Sequence, residues 1–135
     1  MNHLARIYAL ALGATLTLVG ILGFVSALAP NSELLGIFEV DPLHNAIHIV
    51  SGVVGLTVAF TASGVYSRYF ALIFGVVYGL VTVVGFIQQT TVLGLIHVNL
   101  ADNVLHLLIT AASIAVFALT ASSASSVSSP QTRSA

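Results

Sequence analysis

Long apolar runs interrupted by short polar knots set the pattern of this chain. After a polar start carrying His3 and Arg6, one run extends from Ile7 to about Ala29 and a second from Pro42 to about Thr61. A third spans Tyr69 to about Ile87, and a fourth Leu100 to about Thr120. Each holds roughly the 20 residues a helix needs to cross the hydrocarbon core of a bilayer. The pattern predicts an all-α protein with helices at about 7–29, 42–61, 69–87 and 100–120, all within one membrane domain over 1–121. From Ala121 onward the chain is Ser-rich, with Pro130 and Arg133. That composition cannot bury a core, so 122–135 reads as a disordered tail.

Composition fixes the solvent. Of 135 residues, 58% are hydrophobic and 5% charged, with a mean hydropathy of +1.09, values that belong to integral membrane proteins. The partner this implies is the lipid bilayer. Three Arg, no Lys and a net charge of -1 leave no basic face for nucleic acid. With no Cys, disulfides, thiolate metal sites and Cys nucleophiles are excluded.

The first run could be mistaken for a cleaved signal peptide, since Arg6 precedes it and Ala27-Leu28-Ala29 imitates a cleavage site. Internal similarity argues for retention. Setting Arg6 on Arg68 also pairs Ala9 with Ala71, Leu10 with Leu72, Gly13 with Gly75, Gly23 with Gly85 and Phe24 with Phe86. Downstream, Gly36 pairs with Gly94, Val40 with Val98, Asp41 with Asn99, Asn45 with Asn103 and His48 with His106. The expectation is two helix-loop-helix repeats, at about 5–62 and 67–120, each crossing the membrane twice and so sharing one orientation. Arg6, Arg68 and Arg133 fall on one side of the predicted spans, whereas the opposite loops hold Glu33, Glu39 and Asp41 but no Lys or Arg. By the positive-inside rule the protein sits in the cell membrane with both termini cytoplasmic and both polar knots facing outward.

Those knots carry the candidate chemistry. Asp41-Pro42 is a strong helix start, because a carboxylate caps free amides and Pro at the first helical position forgoes only an orphaned one. Asn99 takes the capping part in the second copy. His44 and Asp102 then fall at the third helical position, with His48 and His106 one turn deeper on the same face. Below them Gly52, Gly55, Thr110 and Ser113 form small-residue faces of the kind that pack against neighbouring helices, which points the His-bearing faces inward. If the second and fourth helices meet, His44, His48, Asp102 and His106 make a four-ligand set suited to Zn, Cu, Mn or Fe. Glu39 and His97, at matching positions in the loops, are additional candidate ligands. Asn45 and Asn103 would support the ligands or bond between helices.

Competing readings are specific. Asp102 near a helix start can simply complement free amides and the helix dipole. His44 and His48 can be hydrogen-bonding glue between helices. Glu39 and His97 can be wet loop residues, and His3 only N-terminal. Against these stands the cost of ionisable groups in spanning segments, which makes them functional candidates by default.

Leu43-His44-Asn45-x-x-His48, Gly75-x-x-Tyr78 with Gly85-Phe86, and Ala101-Asp102-Asn103-x-x-His106 together resemble the small bacterial membrane proteins called domain of unknown function 4383. The resemblance covers nearly the whole chain except the tail. It implies a four-helix membrane protein and brings no activity, substrate or mechanism.

Three functional expectations follow. The first is a metal-binding membrane protein with its site near the outer face. A second is a b-type haem protein with His48 and His106 as axial ligands. The third is a non-catalytic scaffold or subunit, as a homo-oligomer or with another membrane partner, whose His and Asn residues lock helix packing. With no separate nucleophile or base apparent, enzymatic turnover is not expected.

Overall fold

The computed structural model describes residues 3–61 and 65–125, the last five as backbone only. Four helices carry the fold: α1 (His3–Leu22), α2 (Pro42–Phe60), α3 (Ser67–Gln88) and α4 (Leu100–Ser125). All four are long and apolar enough to cross a membrane, and they pack as a four-helix bundle, the architecture of a multi-pass membrane protein. Closest packing runs within the sequential pairs, α1 on α2 and α3 on α4. The two pairs meet mainly through α1 and α3. There Phe70, Phe74 and Tyr78 of α3 pack with Ala9 and Leu16 of α1 and Ala59 of α2. Outward faces keep large apolar side chains exposed, as a lipid solvent allows.

Three boundaries differ from the sequence expectation: α1 begins at His3 instead of Ile7, and the ends of α1 and α4 also move. α1 ends at Leu22 instead of continuing to Ala29. Beyond it the chain tightens, with the Phe24 and Val25 amides donating to carbonyls three residues back, a common way for a helix to end. Gly23 sits at this exit because a Cβ there would lie 2.1 Å from Asn45 Oδ1. At the other end of the chain, α4 continues through residues 122–125, which were expected to be tail; nothing in Ala-Ser-Ser-Ala-Ser forbids helix. Residues 126–135 of the expected tail lie outside the described residues.

The connections on the knot side, expected as loops, are hairpins. β1 (Glu33–Leu34) pairs antiparallel with β2 (Phe38–Glu39), and β3 (Thr91–Val92) with β4 (Ile96–His97). Each turns on a Leu-Gly pair with two successive positive φ values: Leu35 (56°) and Gly36 (68°), then Leu93 (56°) and Gly94 (68°). Such a pair matches the strand twist of a tight hairpin, but Asn-Gly or Asp-Gly is its usual signature. A Leu in that conformation is uncommon, so neither turn is announced by its residues. Leu34, Val40, Val92 and Val98 point inward and are buried.

Helix ends opposite the hairpins involve the two described arginines. Arg6 Nε donates to Ala59 O at 2.9 Å, satisfying a carbonyl in the last turn of α2. The Arg68 guanidinium lies over the Phe117 and Tyr69 rings, 5.2 and 5.6 Å from their centres.

Candidate metal centre

The site begins with two helix starts. At α2, Asp41 Oδ1 accepts from the amides of Leu43 (2.8 Å) and His44 (2.9 Å), and Pro42 occupies the first helical position. At α4, Asn99 Oδ1 accepts from the Asp102 amide (3.1 Å) while Asp102 Oδ2 accepts from the Asn99 amide (2.9 Å). This reciprocal arrangement is a capping box. The difference decides what the third helical residue can do. His44 returns nothing to the cap and its ring is free to turn inward; Asp102 is bound into the cap.

Each start also braces the other half. Asp41 Oδ2 accepts from the His97 amide at 2.8 Å, and Asp102 Oδ2 accepts from the Glu39 amide at 3.0 Å. Asn99 Nδ2 donates to Ile37 O at 2.8 Å. Both hairpins are thus tied across the bundle to the opposite helix start. The His97 ring, itself exposed, lies 3.5 Å from Asp41 through Nδ1. Burial pulls the Asp41 carboxyl upward, but the amides of His44, His97 and Leu43 outweigh it and hold the group below the usual carboxylate range.

One turn deeper the imidazoles converge. His44, His48 and His106 are buried, and their candidate ligand atoms all lie within 4.8 Å of one another. His44 meets His48 edge-on with ring centres 4.5 Å apart, and His44 and His106 are 6.0 Å apart. The facing of α2 and α4 is therefore made by imidazoles, without close backbone packing between those two helices. Nδ1 of all three rings is buried without a hydrogen-bond partner among the described residues. Three nitrogens at the usual 2.0–2.1 Å from one ion stand about 3.3–3.6 Å apart, so the ring spacing has to close by about 1 Å, within the range of small side-chain rotations.

Of the four ligands expected from the sequence, the structure brings together His44, His48 and His106. Asp102 is buried and interacts electrostatically with His44, but its Oδ2 serves the Glu39 and Asn99 amides. Glu39 and His97 sit on the hairpins, outside the cluster. Asn45 and Asn103 are buried at the helix-helix contacts, each pressed on a glycine near the end of the preceding helix. A Cβ on Gly23 would fall 2.1 Å from Asn45 Oδ1, and one on Gly85 2.0 Å from Asn103 Oδ1. In each sequential pair, a glycine makes the room that its partner's amide fills.

Sequence reasoning missed two tyrosines. Tyr78 sets its ring edge-on to His106, centres 5.3 Å apart, and Tyr8 shares a hydrogen bond between its hydroxyl and that of Ser113. Tyr78 stood out only as part of a family-like motif; the usable signal was a phenol in an otherwise hydrocarbon span. Beside the imidazoles lies a cavity of about 110 Å³ walled by Ile47, Phe74, Val77, Tyr78, Val92 and Val98 among others. The β3–β4 hairpin supplies part of its roof. A larger groove of about 340 Å³ between α1 and α4, apolar except for Tyr8 and Thr15, reaches His48 and His106 from the other side.

Residues 6–120 match the model of a family described as a domain of unknown function, DUF4383. No curated protein and no solved structure matches the chain.

Proposed function

Starting from membership of the DUF4383 family, to which this chain belongs, we propose that it is a multi-pass protein of the cell membrane that binds one transition-metal ion on His44, His48 and His106. The observation that carries the reading is the convergence of three buried imidazoles whose Nδ1 atoms have no hydrogen-bond partner among the described residues. Buried polar groups in native proteins nearly always find partners, and a lone pair without one is a candidate for a ligand. Packing alone gives no reason for three such rings to converge, so the scaffold reading is the weaker one.

The two halves are copies of one helix-hairpin-helix unit in this reading. Matching Leu-Gly turns, matching glycine-asparagine contacts and crossed acid-to-amide braces support that. Arg6 and Arg68 at the end opposite the hairpins support cytoplasmic termini and a metal near the outer face. Duplication explains how a small chain brings ligands from two helix starts to one point.

Metal analysis of protein purified in mild detergent tests the proposal. Close to one equivalent of Zn, Cu, Mn or Fe should be bound or taken up, and His48→Ala/His106→Ala should abolish it while helical content is retained. Protein that neither carries nor takes up any of these metals overturns the proposal. So does metal uptake undiminished in the double variant.

A further inference from the structure

We propose that the ion this site selects is copper(I), held by three imidazoles and no fourth protein ligand. The inference rests on the metal-binding reading above and narrows it by charge and coordination number.

All three donors are neutral. Among the described residues no Asp or Glu joins the imidazole group. The two acids nearest in the chain, Asp41 and Asp102, are committed to backbone amides at the helix starts. A dication on three imidazoles would receive no charge from its ligands, only the field of Asp102 and Asp41 acting on His44 from outside the donor set, and would lie beside the hydrocarbon of Ile47, Phe74, Val77, Val92 and Val98. The cost of placing an ion in a low-dielectric medium grows with the square of its charge, so a monocation is penalised about one quarter as much as a dication. Fe(II) and Mn(II) sites commonly recruit carboxylates, which are lacking in this donor set, and three imidazoles hold Zn(II) only with a fourth ligand added.

Coordination number points the same way. Zinc sites are almost always four-coordinate, and with three protein ligands the fourth is water or substrate. A water in this chamber would find Ser51 and Tyr78 among walls that are otherwise apolar apart from the imidazoles, the low end of what a buried water usually has. Copper(I), with a filled d shell, is stable with three donors and needs no water. Imidazole is an accepted copper ligand, and the chain offers no Cys and a single Met, Met1, to compete for a soft ion.

The test uses the full chain in lipid nanodiscs. Anaerobic copper(I) is titrated against bicinchoninate, and zinc(II) against a chromophoric chelator in a parallel series. Expected are one copper(I) per chain and an affinity about 100-fold or more above that for zinc(II). X-ray absorption of the copper-loaded wild type should give a three-nitrogen shell with the pre-edge feature of three-coordinate copper(I), a readout independent of whether any variant folds. His44→Ala should lower copper(I) affinity by about 100-fold, whereas His3→Ala/His97→Ala should leave it unchanged. Zinc(II) binding as tight as copper(I), or a four-coordinate copper shell, overturns this inference and leaves the metal-binding reading standing. Failure to bind either ion, with manganese and iron also refused, removes both.

Discussion

The first turns of α2 and α4 have the same backbone and different chemistry. In α2 the cap is a carboxylate, Asp41, and the third helical residue is His44. In α4 the cap is an amide, Asn99, and the third residue is the acid, Asp102. One acid serves each start, but it has moved by one turn between them. Where the acid is the cap, it receives two amides of its own helix and one from the opposite hairpin, and the ring below it is released into the chamber. Where the acid is the third residue, it reaches back to the cap and across to the other hairpin, and contributes no imidazole. Three imidazoles instead of four are the consequence. The two starts thus differ in kind: one turns an imidazole inward and the other braces the opposite hairpin.

That comparison breaks most readily at Asp102. Removing it as Asp102→Ala strands the Glu39 and Asn99 amides, at about 1–3 kcal/mol each if they stay buried, so unfolding in detergent should show a loss of about 2–4 kcal/mol. Asp102→Asn, which keeps one acceptor oxygen, should lose less than half as much. A loss under about 0.5 kcal/mol for Asp102→Ala would mean that the brace is not structural.

Next come the two glycine-asparagine contacts, which should respond alike. Gly23→Ala and Gly85→Ala each force a methyl into an amide that has no room for it, an overpacking of about 1–3 kcal/mol. Thermal unfolding should give similar losses for both, and one tolerated variant beside one severe would break the equivalence of the helix pairs.

Asp41→Ala should be milder than Asp102→Ala, about 0.5–2 kcal/mol, the usual value of a helix cap. Its pH signature has a definite sign. Because the folded carboxyl lies below the ordinary carboxylate range, its contribution is complete above that range and lost as the pH falls through the lowered folded value. Wild type and Asp41→Ala should therefore keep a constant stability gap from neutral pH down to about pH 5 and converge only in acid. A gap that closes between pH 7 and 6 would point to a different titrating group.

The smallest effect belongs to the exposed His97 ring. The brace uses its backbone amide, so His97→Ala keeps that bond and gives up only a solvent-facing contact with Asp41, about 0–1 kcal/mol and screened by salt.

Much of this was legible in the order of residues. Four helices follow from run length, because lipid leaves the backbone few ways to satisfy itself other than helix. Asp41-Pro42 marked its helix start, and the spacing of His44, His48 and His106 placed them on inward faces. The hairpins were not legible, since two-residue strands show no periodicity and Leu-Gly is not a usual signature of its turn. Nor was the end of α1, where the Phe24 and Val25 amides turn to carbonyls three residues back.

By itself, then, the sequence determined what kinds of group stand at each helix start and at what depth, because helical geometry is local. Only the tertiary structure decided which of them meet. Asp102 and His44 occupy equivalent positions along their helices, and no rule of spacing says that one turns toward an amide of the opposite hairpin and the other toward two imidazoles. That choice depends on which groups lie across the bundle, and hence on how the two helix pairs pack.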